Sequence, residues 1–190
     1  MIKIIGGKFQ RKKILVPNKE VRPTSAIKRE AIFSILESYS LKNSFEIYEN
    51  KSFIDLFAGS GSLGLEFISR GGSFVYFFEN DQEVLKVLKK NCSSLCTNTE
   101  YEIIDENINL IKKFKLKDKS ISLIFIDPPY KFSEFNNILK IIINSNILNK
   151  NSIIIIETKK NNKLNISKKF KINNEKIYGI TKLYFIKYLN

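Results

Sequence analysis

"SFIDLFAGSGSLGLEFIS", residues 52–69, is the stretch on which the fold turns. Residues 52–57 are mostly apolar and read as a buried strand, and the segment near 62–70 reads as a helix. Between them Gly59, Gly61 and Gly64 keep the spacing G-x-G-x-x-G. Such a turn needs glycine because the chain reverses tightly and a ligand comes close to the backbone. A strand that runs through a glycine loop into a helix opens a nucleotide-binding α/β unit, whose ligands sit outside the carboxyl ends of the strands.

Outward from that unit the chain alternates. Further strands are expected at 74–79, 101–104, 121–126 and 153–157, with helices near 81–92, 107–114 and 133–145. Near-continuous apolar strands separated by helices indicate a parallel sheet covered on both faces. The last two strands, near 168–178 and 182–189, leave no room for a crossover helix and should pair antiparallel at one edge. The expected architecture is therefore α/β: a doubly wound, mostly parallel seven-stranded sheet with an antiparallel edge hairpin. A small N-terminal β-arm and helix precede it. Residues 2–16 read as a short hairpin or extended arm with a turn at Gly6–Gly7, and Pro17 and Pro23 bracket a loop. From Thr24 the apolar residues Ile27, Ala31 and Ile35, with Ile32 and Leu36, predict an amphipathic helix capped by Thr24 or Ser25. Residues 42–51 read as a polar linker, and the lysine-rich 159–169 as an exposed loop. Two units are expected, a basic arm and helix over 1–41 and the α/β domain over 42–190.

The ligand can be narrowed further. Glu79 ends the second sheet strand, 20 residues past Gly59, where a carboxylate accepts from both hydroxyls of a ribose. The glycine loop and Glu79 suit either NAD or S-adenosylmethionine. Asp55, just before the loop, would repel a pyrophosphate and suits a cation; it tips the reading toward S-adenosylmethionine, a sulfonium with an ammonium and no phosphate. The fourth strand decides. It runs into "DPPY", residues 127–130, an acid, two stiff prolines and an aromatic ring. The exocyclic amine of a nucleobase is a poor nucleophile because its lone pair is delocalised into the ring. Asp127 and the carbonyl of Pro128 can hold its N–H groups so that the nitrogen becomes pyramidal, and Tyr130 can stack on the base. In a duplex that amine lies inside a base pair, so the base must be flipped out or met unpaired.

Composition agrees with a polyanion partner. The net charge is +13, and residues 1–30 carry nine Lys and Arg against two Glu, over half of the total in under a sixth of the chain. That clustering points to nucleic acid. There is no histidine, which excludes histidine base chemistry, and Cys92 and Cys96 read as two reduced thiols on one helix. No metal is expected. No apolar run approaches the ~20 residues of a membrane span and no secretory signal is evident, so a cytoplasmic location is expected.

Together, "IIGGKFQRKKILVP", "VRPTSAIKREAIFSIL", "DLFAGSGSLGLEFISRG" and "DPPY" resemble the bacterial RsmD family of class I methyltransferases, which methylate guanine N2 in small-subunit ribosomal RNA. The glycine loop and "DPPY" are general to the superfamily; the N-terminal set is the specific part. The resemblance implies that Asp55, Gly59, Ser60, Gly61, Glu79, Asn80, Asp105, Glu106 and Asp127 contact S-adenosylmethionine, with the Asp105 carboxylate at the adenine amino group. Asp127, Pro128 and Tyr130 would clamp the target. Lys8, Arg11, Lys12, Lys13, Arg22 and Arg29 would face RNA. The partner implied is ribosomal RNA, within an assembling small subunit or free, and the protein is expected to act as a monomer. Competing readings are a DNA adenine- or cytosine-amino methyltransferase, which usually needs an added recognition domain, an NAD oxidoreductase and a non-catalytic RNA-binding module.

Overall fold

A computed structural model describes residues 1–18, 25–117, 120–129 and 132–189. In chain order the elements are β1 (Ile2–Lys3), β2 (Lys13–Ile14), α1 (Ala26–Asn43), β3 (Ser52–Leu56), α2 (Ser62–Ser69), β4 (Phe74–Phe78), α3 (Gln82–Leu95) and β5 (Tyr101–Ile104). There follow β6 (Ile121–Ile126), α4 (Phe135–Asn144), β7 (Ile153–Lys159), β8 (Phe170–Tyr178) and β9 (Thr181–Tyr188). The seven-stranded sheet has the order β5-β4-β3-β6-β7-β9-β8, parallel from β5 to β7 and antiparallel through β9 and β8. This is the doubly wound architecture that the strand–helix alternation predicts. The strand order reverses between β3 and β6, the place where such sheets open a crevice.

The two faces of the sheet are filled separately. Phe53, Val75, Phe77, Leu123, Phe125, Ile153 and Ile155 pack with α1, α2 and α3 on one side. Ile54, Tyr76, Ile124, Ile126, Ile154 and Ile156 pack with α4 on the other. Alternate residues of one strand thus serve two cores, which explains why the central strands read as unbroken apolar runs. Ile4, Ile14, Ile32, Phe33 and Leu36 belong to the first core, so the N-terminal arm and helix close one layer of the α/β sheet.

Several expectations are corrected in detail. Of the two readings of 2–16 the hairpin holds, with β1 and β2 paired antiparallel. Its turn extends past Gly6–Gly7 through a short 3-10 turn over Gly7–Phe9, with Gly7 in the left-handed region at φ 73°. Helix α1 is capped by Ser25, whose side chain accepts from Lys28 N–H; Thr24 lies outside the described residues. Its buried stripe is Arg29, Ile32, Phe33 and Leu36, whereas Ile27 is 78% exposed, because i, i+3, i+4 and i+7 from residue 29 face the core. The 42–51 segment is more than a polar linker, since Ile47 is buried and its carbonyl accepts from Ser122 Oγ. Only a 3-10 turn, Ile108–Leu110, forms where a helix over 107–114 was expected. Asn107 caps that turn, and Ile108, Ile111 and Phe114 are buried against the sheet without the chain between them forming an α-helix.

Candidate active site

Helix α2 is buried on every side, and its start shapes the crevice. Gly61 caps it at φ 77°, and Gly59 stands at φ 57°, both conformations that an L side chain adopts at a cost. Gly64 is required for a different reason: a Cβ there would stand 2.2 Å from Cε1 of Phe77, so α2 rests directly on β4. Just before the loop Phe57 also adopts a positive φ of 68°, a rare state for an aromatic residue. Its ring meets Phe132, 5.6 Å away, across the mouth between the β3 and β6 ends.

Each expected cofactor residue can now be placed. The Glu79 carboxylate is held by three backbone N–H donors, Gly59 to Oε2 at 3.0 Å and Asn80 and Asp81 to Oε1 at 2.9 Å each. It is half-buried, tied to the glycine loop and oriented toward the crevice end of the sheet. Asn80 itself is exposed, and Ser60 is buried with its carbonyl accepting from Asn91. Asp105 and Glu106 are exposed after β5, and Asp105 accepts from Gln82 Nε2 at 2.9 Å. Asp55 is buried beneath the loop and accepts from Gly64 N–H at 3.3 Å. Burial pushes its pKa well up, and the charges of Asp127 and Glu79 push the same way.

Asp127 follows the last residue of β6 and is half-buried, and Pro128 is buried beside it. Burial raises the Asp127 pKa to about 7; the Glu157 charge adds to the effect and Lys28 opposes it. Asp127, Pro128, Pro129, Phe132, Glu157 and Thr158 line one notch at the ends of β6 and β7. Tyr130 lies outside the described residues. Asp55, Glu79, Asp127 and Glu157 thus converge on one end of the sheet, with Lys28 countering only part of their charge. A phosphate would be repelled there. A cation beside a glycine turn fits, and so does a ligand that brings N–H donors.

The expected RNA-facing set divides. Arg11, Lys12 and Lys13 are exposed on a loop pinned by Arg11 N–H to the Ile4 carbonyl at 3.0 Å. Lys8 is exposed and ion-paired with Glu100. Arg22 lies outside the described residues. Arg29 is a correction: it is 1% exposed, donates to the Lys3 carbonyl at 2.8 Å and faces Glu66 at 3.9 Å, so it holds the arm and cannot touch RNA. A charged residue in the middle of the buried stripe was the missed signal. Glu66 was missed too. Its oxygens accept from Ile5 and Gly6 N–H at 2.8 Å each and from Arg70 Nε at 3.0 Å. A lone acid in the apolar run "LGLEFIS" pointed to it. Burial pushes both thiols, Cys92 and Cys96, up, which leaves them protonated and unreactive. Among the described residues no three His, Cys, Asp or Glu are grouped to hold a metal, and none of the helices is long and apolar enough to cross a membrane.

The family described as Conserved hypothetical protein 95 matches residues 2–187. Ribosomal RNA small subunit methyltransferase D of Haemophilus influenzae is 32% identical over 94% of this chain and 90% of its own length. The solved structure of HI0767 from Haemophilus influenzae superposes with a TM-score of 0.76 at 28% identity, covering 100% of this chain and 99% of that one. The yhhF protein of Escherichia coli shares the fold at a TM-score of 0.81 and 23% identity, over 100% and 98% of the two chains.

Proposed function

The chain belongs to the Conserved hypothetical protein 95 family, and on that premise we propose that it methylates the exocyclic N2 amine of a guanine in small-subunit ribosomal RNA, with S-adenosylmethionine as donor. The single observation that carries the reading is Asp127: a half-buried carboxylate with a strongly raised pKa, beside a glycine crevice crowded with acids. S-adenosylmethionine supplies an activated methyl carbon and two positive charges. Asp55 and Glu79 are suited to it: Glu79 to the ribose hydroxyls, Asp55 to the charge beneath the loop. Asp105, exposed after β5, would take the adenine amino group.

The chain contributes binding and alignment more than bond chemistry. Asp127 and the Pro128 carbonyl accept the two N–H bonds of the target amine and draw the nitrogen out of conjugation. Prolines at 128 and 129 fix that carbonyl. The nitrogen forms its bond to carbon as the carbon–sulfur bond breaks, and the surplus proton passes from nitrogen to Asp127, whose raised pKa suits it to receive one. Holding the reactants in line supplies most of the acceleration. Exposed Arg11, Lys12 and Lys13 offer positive charge on the arm to the phosphate backbone.

The test uses small ribosomal particles that lack the methyl group and a labelled donor. The wild-type protein should label one guanine, mapped by mass spectrometry, and Asp127→Ala should abolish labelling while binding the donor with nearly unchanged affinity. Turnover retained by Asp127→Ala would overturn the clamp, and label on protein or DNA alone would overturn the substrate.

A further inference from the structure

Glu157 has a feature that cofactor binding does not explain. It continues the row of Ile153 and Ile155 on one face of β7 and pairs with Leu183 of β9. The side chain is 5% exposed and lines the same notch as Asp127 and Pro128. Its Oε1 accepts from Lys28 Nζ, which reaches in from α1. Its Oε2 is buried and has no hydrogen-bond partner among the described residues. Leaving a buried carboxylate oxygen unpaired is costly, and a folded chain keeps such a group where a ligand supplies the donor.

We infer that Glu157 accepts the N1–H of the target guanine, next to the amine held by Asp127 and Pro128, and thereby confines the site to guanine. The inference rests on the amine clamp proposed above. Ile126 and Ile156 are register partners, so Asp127, just past the end of β6, and Glu157, near the end of β7, stand side by side on neighbouring strands. They can offer adjacent acceptors to adjacent donors on one edge of a base. Among the standard bases, only guanine has an exocyclic amine flanked by a ring N–H. The amines of adenine and cytosine lie beside a ring nitrogen whose lone pair a carboxylate repels. Lys28 holds the other oxygen and so fixes the direction in which Oε2 points.

A base analogue isolates this contact. 2-Aminopurine keeps the 2-amino group but has a lone pair in place of N1–H and lacks O6. The change of preference in a Glu157 variant, more than the wild-type preference itself, therefore reports the contact. Once the modified guanine is mapped, small-subunit particles are reconstituted with 2-aminopurine at that one position. They are compared with guanine particles for the wild type and for Glu157→Gln, with melting temperature and donor binding measured alongside. The wild type should favour guanine by about 100-fold or more in kcat/KM. In Glu157→Gln the preference should collapse to within about tenfold, because the amide can donate to the lone pair that the carboxylate repels. Equal use of both bases by the wild type, or an unchanged preference in a folded Glu157→Gln, overturns the inference and leaves guanine methylation standing. Should Glu157→Gln fail to fold, Glu157→Asp, whose shorter carboxylate falls short of N1–H, is compared in its place, and an unchanged preference in it overturns the inference. Methylation of an adenine or cytosine overturns the proposed function, and this inference with it.

Discussion

Asp127 carries two demands that pull in opposite directions. To take up the proton that the amine gives off it must be ionised, yet burial and the Glu157 charge raise its pKa to about 7. Protonation should remove that proton acceptor, so methyl transfer should fall as pH drops through that region. We expect kcat/KM, which reports the free enzyme, to fall tenfold per pH unit below about 7. The inflection should move to lower pH when the cationic donor saturates the site, since a positive charge favours the ionised form of Asp127. A flat profile down to pH 5.5 would refute this. The effect on folding has the opposite sign. A carboxyl whose folded pKa is raised binds its proton more readily in the native state, so its contribution to stability grows as pH falls from about 7 toward the ordinary carboxylate range. Asp127 and Glu79 were legible as functional acids because each ends a strand beside a loop with its own signature. Glu157 was not, because it ends "IIIIE" with no proline or glycine to mark it.

At the scale of elements, the N-terminal arm and α2 form one device. Glu66 accepts from two arm N–H groups, Ser69 Oγ both donates to the Gly6 carbonyl and accepts from Phe9 N–H, and Asn91 of α3 clasps Leu15 through its N–H and its carbonyl. The same Asn91 amide donates to the Ser60 carbonyl in the glycine loop. The arm is therefore tied to the cofactor loop through a side chain that touches both. Removing Glu66 would leave the Arg29 guanidinium buried without a counter-charge and two arm N–H groups without acceptors. Glu66→Ala should cost about 3–5 kcal/mol, the usual penalty for breaking a buried ion pair. Denaturant unfolding checks it, and a loss below about 1 kcal/mol would mean that the arm is held by its apolar residues alone. The sequence showed where the arm and helix lie. It concealed the docking, because a buried Arg–Glu contact between residues 29 and 66 leaves no periodic trace.

Over the whole molecule, Asp55, Glu79, Asp127 and Glu157 share the crevice end of the sheet. Exposed Arg11, Lys12 and Lys13 put positive charge on the arm, and a further run of lysines lies in the exposed 159–169 segment. An arm that docks on α2 can hold its charge at a fixed place relative to the crevice. A double variant Arg11→Glu, Lys12→Glu should weaken binding to small-subunit RNA and reduce the slope of log affinity against log salt by about one to two. Donor binding and melting temperature should stay close to wild type, since neither side chain is buried. An unchanged salt slope would move the RNA footprint away from the arm.

What the sequence determined by itself is what local periodicity and local chemistry encode. These are the seven strands and their mixed direction, the glycine turn, and the acids at 55, 79 and 127, because each is written within a few residues of a strand end. Tertiary structure decided whatever depends on which strands and layers become neighbours. It placed Arg29 in the interior instead of on the RNA side, joined Glu66 to the arm, and set Glu157 beside Asp127 across paired strands 30 residues apart in sequence. The physical reason is that burial and partnership are properties of a packed pair, and a charge takes its role from the group that folding brings against it.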